Sequence, residues 1–341
     1  MSSNNKELKT KKREFPVQPF KDKEFALNFF KLMVRTRCLE EKLIKMAKSS
    51  DGFFWIGGPG EEAFQTSLGL LVNKGEGIEH DYLHLHYRSN GAILAMGEES
   101  ISFIRQMRSV ETDPFSGGRN FVAHCSKKEW NIVPITSTIG TQFSVAPGTA
   151  RAQMKANREG KKTGISIVLG GDAGTAEGDF STCLVWSSRP GNELPLLMIV
   201  TNNEYGISTP AKTQHGEKHI ADRAKAYGIK SNVADGNSPE KAWSALKDAM
   251  DYVRDTQKPF LLEMKVSRLN GHSSSSGANR IEGEEDCIEI FARKLEKNNW
   301  LSKEQASVIW EEALNEMNEA HAQVRQEKYP DPSTIYDHVF K

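Results

Sequence analysis

The chain has 341 residues, enough for one large α/β domain or two small ones. Its 45 basic residues balance 45 acidic ones, so bulk charge points to neither a nucleic-acid nor a membrane partner. Four cysteines without C-x-x-C spacing fit reduced thiols, no apolar run reaches the ~20 residues of a membrane span, and the amino terminus lacks a secretory apolar core; the expectation is a cytoplasmic protein.

Met1 to Thr10 is polar and lysine-bearing, which predicts a disordered leader. Over residues 22–47, Phe25, Phe29, Leu32, Met33, Leu39, Leu43 and Met46 recur at helical spacing. Glycines at 52, 57, 58 and 60 then precede Glu61-Glu62-Ala63 and a second helix reaching Val72, with acidic residues in its first turn. Phe54 and Trp55 in that bend read equally well as core aromatics or as an apolar wall.

The run from His80 to Gly91 holds three histidines in seven residues. His84 and His86 would share one face of a strand, and His124 or Cys125 could complete a zinc site. Leucine and tyrosine alternate with these histidines, however, as in a buried strand. Residues 112–136 are glycine-bearing and polar, a loop long enough to be functional or disordered. Thr136-Ser137-Thr138-Ile139-Gly140-Thr141-Gln142 then reads as a hydroxyl-capped helix start.

The most informative stretch runs from Gly164 to Thr209. Ile165–Leu169 and Leu196–Val200 are short apolar runs bounded by glycine, proline and polar residues, the signature of buried parallel strands. The span between them suits one crossover helix, giving a right-handed βαβ unit with both carboxyl ends on one edge. One strand ends in Gly170-Gly171-Asp172 and the other in Asn202-Asn203. Asp172 and Asn203 are therefore hard oxygen ligands at the edge where open α/β sheets bind their ligands, suited to Mg²⁺ or Ca²⁺. Glycines 170, 171, 174 and 178 allow backbone amides to approach an anion at the next helix N-terminus. The spacing matches neither a dinucleotide fingerprint nor a P-loop. Each half alone is equally readable as a tight turn or an Asx turn; their pairing favours a site that holds a cation and a diphosphate.

Residues 238–256 form an amphipathic helix and Pro259–Val266 an apolar strand. Arg268 to Gly277 is a Gly/Ser-rich mobile loop carrying His272 beyond that strand's carboxyl end. Two charged amphipathic helices occupy 285–327. The fold class is α/β, a doubly wound parallel sheet with extra N- and C-terminal helices.

Gly171-Asp172-Ala173 followed by Asn202-Asn203 resembles the thiamine-diphosphate motif, a GDG with NN some thirty residues on. With Glu177-Gly178-Asp179 and Tyr205-Gly206-Ile207-Ser208-Thr209-Pro210, residues 25–330 resemble the α subunits of branched-chain 2-oxo acid dehydrogenases. Ala173 stands where the family has glycine, and Asn90 where many relatives have histidine; with alanine there, the turn would draw its conformational freedom from Gly174.

The resemblance implies a single thiamine-diphosphate-binding domain over 21–330, with a leader at 1–20 and a tail at 331–341. It implies Mg²⁺ on Asp172, Asn203 and the backbone carbonyl of Tyr205. The thiamine diphosphate would lie against Tyr87, Arg88, Ser137, Ile139, Gly171, Asp172, Ala173, Gly174, Asn203 and His272, with His272 catalytic in reductive acylation. Phe54 and Trp55 would wall the 2-oxo acid, and Thr136, Thr141 and Gln142 correspond to a monovalent-cation (K⁺) site.

Its implied partners are a β subunit in an α₂β₂ assembly, which supplies the glutamate that activates the cofactor ring, and a lipoyl acyltransferase. Alternatives are a pyruvate or acetoin dehydrogenase α subunit and a non-catalytic phosphate-binding regulatory module.

Overall fold

Apolar runs punctuated by glycine and proline become the central sheet in the computed structural model, which describes residues 15–16, 18–120 and 122–337. The expected leader at Met1–Thr10 lies outside these residues. In chain order the elements are α1 (Lys23–Lys48), α2 (Glu62–Leu71), β1 (Tyr82–His84), α3 (Asn90–Ala95), α4 (Ser100–Arg108), α5 (Thr141–Arg158) and β2 (Ser166–Gly171). There follow α6 (Gly178–Ser187), β3 (Leu196–Asn202), the two-residue strands β4 (Tyr205–Gly206) and β5 (Thr209–Pro210), β6 (Lys230–Asp235), α7 (Pro239–Thr256), β7 (Phe260–Lys265), α8 (Cys287–Lys297) and α9 (Lys303–Val324).

Five parallel strands lie in the order β1-β2-β3-β7-β6. Alternate residues face opposite layers, as strand geometry requires. Ile167, Leu169, Leu197, Ile199, Leu262 and Met264 join one core with α1, α2, α7 and α8. Val168, Met198, Val200 and Leu261 join another with Phe143 of α5 and Phe180 of α6. Both faces are thus covered by helices, the doubly wound arrangement that unbroken apolar strands demand.

Local chemistry sets the helix ends. Asp22 accepts a 2.7 Å hydrogen bond from Phe25 N at the start of α1. Ser302 and Gln305 form a capping box on α9. The hydroxyl cap expected for α5 does not form: Gly140 occupies the N-cap at φ +87°, without a side-chain bond. Only glycine suits this conformation, and a Cβ there would come within 2.9 Å of Glu177 Cβ.

The turn after β2 also differs from expectation. Asp172 has φ −53°, Ala173–Ala176 continue as a 3₁₀ turn, and neither Ala173 nor Gly174 has a positive φ. Alanine at 173 therefore introduces no backbone conflict, and the turn borrows no freedom from Gly174.

Candidate functional site

The carboxyl ends of β1, β2, β3 and β7 open onto a cavity of about 350 Å³. His86, Tyr87 and Arg88 enter it from the turn after β1, Gly170 to Gly174 from the end of β2, and Tyr205 to Ile207 from beyond β3. Ile139 and Gln142 approach from the start of α5, and His272 from the loop after β7. Of the residues singled out in the sequence, the structure thus assembles Tyr87, Arg88, Ile139, Gln142, Gly171, Asp172, Ala173, Gly174, Tyr205 and His272 around one space.

Asp172 is 1 % exposed, and neither carboxylate oxygen has a hydrogen-bond partner. Burial raises its pKa, with the Arg88 guanidinium opposing. A buried carboxylate with two open oxygens suits a hard cation.

The two asparagines at the end of β3 divide their work. Asn202 Nδ2 donates to Glu263 Oε1 at 2.7 Å, tying β3 to β7. Asn203 Oδ1 accepts from Tyr205 N at 3.2 Å, the Asx geometry, and its Nδ2 is buried without a partner. Asn203 flanks the cavity without lining it.

Arg88 is buried. Its Nη2 donates to Tyr87 Oη at 3.3 Å, and its Nη1 has no hydrogen-bond partner. A Cβ built on Gly171 would lie 3.3 Å from that Nη1 and 4.0 Å from His86 Cε1. The guanidinium and imidazole therefore pack over bare backbone, leaving an open donor beside the unpartnered carboxylate. That donor set fits a cation and a phosphate group together.

His272, expected beyond the carboxyl end of β7 on a mobile loop, is half-buried at the cavity, edge-on to Tyr87 at 5.8 Å. Its Nδ1 is buried without a partner. Burial, helped by Arg88 and Arg268, lowers its pKa to about 4, so the ring is neutral near pH 7.

Of the other expected residues, Ser137, Thr136, Thr141, Phe54 and Trp55 stand apart from the cavity, and Gln142 at its edge is tied to backbone. Ser137 is exposed and pairs with His124 Nε2 at 2.5 Å. His124 Nδ1 faces the Val122 carbonyl at 3.0 Å, so Nδ1 carries the proton and the serine donates. Thr141 Oγ1 donates to Thr138 O at 2.7 Å, Thr136 Oγ1 accepts from Thr138 N at 3.1 Å, and Gln142 Nε2 donates to Leu169 O at 2.9 Å. Trp55 is fully buried, with Nε1 donating to Glu40 Oε2 at 2.8 Å, and Phe54 packs against the same core. Neither aromatic lines the cavity.

The zinc alternative is not realised: among the described residues no group of three or more His, Cys, Asp or Glu can hold a metal. Strand β1 ends at His84, so the two-residue period does not carry on to His86. His84 Nε2 instead meets Thr149 Oγ1 at 2.9 Å, while His86 turns to the cavity.

Two cavity residues have places that sequence reading did not give: His86, read only as a zinc candidate, and Ile207. His86, buried and with Nδ1 unpartnered, has its ring centroid 3.7 Å from that of Tyr87, tilted by 40°; its position next to Tyr87-Arg88 was the available signal. Ile207 lines the mouth at φ +55°, a rare conformation for a β-branched residue, and its carbonyl accepts from Arg268 Nη1 at 2.6 Å. No sequence signal marks that strain.

Comparison with known proteins gives a consistent picture. The sequence model described as dehydrogenase E1 component matches residues 30–333. A 2-oxoisovalerate dehydrogenase subunit alpha of Bacillus subtilis is 28 % identical over 323 residues, covering 92 % of this chain and 95 % of that relative. The mitochondrial 2-oxoisovalerate dehydrogenase subunit alpha of Mus musculus is 26 % identical over 333 residues, covering 95 % of this chain and 72 % of that relative.

Proposed function

The chain belongs to the dehydrogenase E1 component family, oxidoreductases acting on 2-oxo acids, and from that premise we propose that it is the α subunit of a branched-chain 2-oxo acid dehydrogenase. Residues 21–330 act as one thiamine-diphosphate-binding domain. Asp172, Asn203 and the Tyr205 carbonyl hold Mg²⁺, and Tyr87 and Arg88 hold the diphosphate. Bound there, thiamine diphosphate supplies the electron sink for decarboxylation of the 2-oxo acid. The chain's own groups bind and orient it: Arg88 offers Nη1 to a phosphate oxygen, and Ile139 gives an apolar contact. His272, neutral near pH 7, can donate or accept one proton at the cavity mouth.

Ring activation falls to a β subunit, and acyl transfer is to the lipoyl group of an acyltransferase. The carrying observation is the buried carboxylate of Asp172, with both oxygens open, facing the same cavity as Arg88. Asp172→Asn tests it, because the amide keeps shape while removing the charge. Mg²⁺-dependent binding of thiamine diphosphate should weaken by at least about 10–100-fold, the loss common even for groups that only support metal ligands. Unchanged affinity and unchanged metal dependence would remove Asp172 from the metal site.

A further inference from the structure

Glu61 sits where α2 begins and is 2 % exposed. Its Oε1 has no hydrogen-bond partner and stands 3.5 Å from Arg88 Nη1, which has none either. Its Oε2 has a long 3.5 Å contact from Gln65 Nε2. The remaining ionisable groups acting on this carboxyl are acidic: Glu62 on its own helix, Asp172 from the end of β2, Glu40 from α1, and the Tyr87 phenol from the turn after β1. Arg88 is the cation facing Glu61, and Arg88 also faces the cavity.

Two negative groups would compete for one guanidinium when an anion arrives. A carboxylate left without its cation in a buried site is strongly disfavoured, whereas a neutral carboxyl is not. We propose that Glu61 is the positioning residue of Arg88: an ionised counter-ion before ligand binds, and a protonated one once a diphosphate takes the guanidinium. One proton moves from solvent to a Glu61 oxygen, and no other bond changes. Burial already pushes the Glu61 carboxyl up to about 7, with Arg88 opposing, so little further loss of positive charge is needed. The inference rests on the diphosphate reading of the cavity.

The test is calorimetric titration of inorganic pyrophosphate with Mg²⁺ into the full chain between pH 6 and 8.5. Wild type, Glu61→Gln, Glu61→Asp and Arg88→Ala are compared in buffers of different ionisation enthalpy. The ligand's own titration is common to all four proteins, so differences between them isolate the side chain. Above about pH 7, wild-type affinity should fall relative to Glu61→Gln, approaching about tenfold per pH unit, with matching extra proton uptake. Glu61→Asp, which keeps a titrating carboxyl, should keep the slope. Equal slopes and proton uptake in wild type and Glu61→Gln would overturn the inference while leaving the diphosphate site intact. Wild-type affinity in Arg88→Ala, or no binding by the wild type, would overturn the diphosphate reading itself and the inference with it.

Discussion

Buried histidines give individual side chains a measurable pH signature. His84 is buried beside Thr149, and burial lowers its pKa to about 4. The unfolded chain takes up that proton near pH 6.5, the folded chain only near 4. Stability should therefore fall as pH drops through this window, by about 3 kcal/mol from this residue. Glu40 and Glu61, both raised to about 7 by burial, act in the opposite sense: their folded forms keep protons that the unfolded chain has released. The clean reading is the difference between wild-type and His84→Asn denaturation profiles. The variant's fall between pH 6.5 and 4 should be smaller by this residue's share, the rest coming from His86 and His272; identical profiles would contradict a neutral buried imidazole.

Asp172, Arg88 and His272 could be found from sequence because each polar residue follows a strand-like run, and sheet geometry sends such residues to one edge. Glu61 and Ile207 could not, because one acquires its role from a cation brought in by the turn after β1 and the other from a backbone angle. Trp55 fell on the core side of an ambiguous pair, since its indole N–H found the buried Glu40 carboxyl.

Between elements, close approach decides more than propensity. Helices α2 and α3 pack so tightly that a Cβ on Gly69 would lie 2.1 Å from the Ala92 carbonyl oxygen. Gly69→Ala should gain helix propensity yet destabilise by about 1–3 kcal/mol, because backbone must move; an unchanged melting temperature would contradict this packing.

Arg37 joins three helices, with Nε at 2.6 Å from Glu62 of α2 and Nη1 at 2.7 Å from Asp286, the N-cap of α8. Arg37→Met should cost about 3–5 kcal/mol, since the fully buried Glu62 loses its cation, while Asp286 keeps Arg280 Nη2 at 3.0 Å. Urea denaturation checks the value.

Helices α1, α2 and α7 and the three inner strands were legible within a residue or two, because buried runs and amphipathic periods are strong signals, whereas the short helices α3 and α4 were not. Strand β6, Lys230–Asp235, was not: it is a polar edge strand whose place is set by pairing with β7, and its sequence has no apolar alternation. The start of α5 misled for a related reason, because hydroxyl residues lie upstream of a glycine that actually ends the loop.

At the scale of the molecule, the edge proposed to bind Mg²⁺ and a diphosphate has an apolar, open mouth. Phe53, Ile139 and Ile207 are 69 %, 44 % and 56 % exposed, the last two at the cavity itself. Apolar side chains of this size at a site mouth fit coverage by a partner, as the proposed β subunit requires.

The most direct measurement is titration of thiamine diphosphate with Mg²⁺ into this chain alone and into its complex with a β subunit, with decarboxylation of 3-methyl-2-oxobutanoate, pyruvate and acetoin followed on the same complex. The account predicts tight binding in the complex, weaker binding by the chain alone, and turnover greatest with 3-methyl-2-oxobutanoate. Cofactor binding indifferent to the β subunit, or a complex that binds it without turning over any 2-oxo acid, would contradict the account.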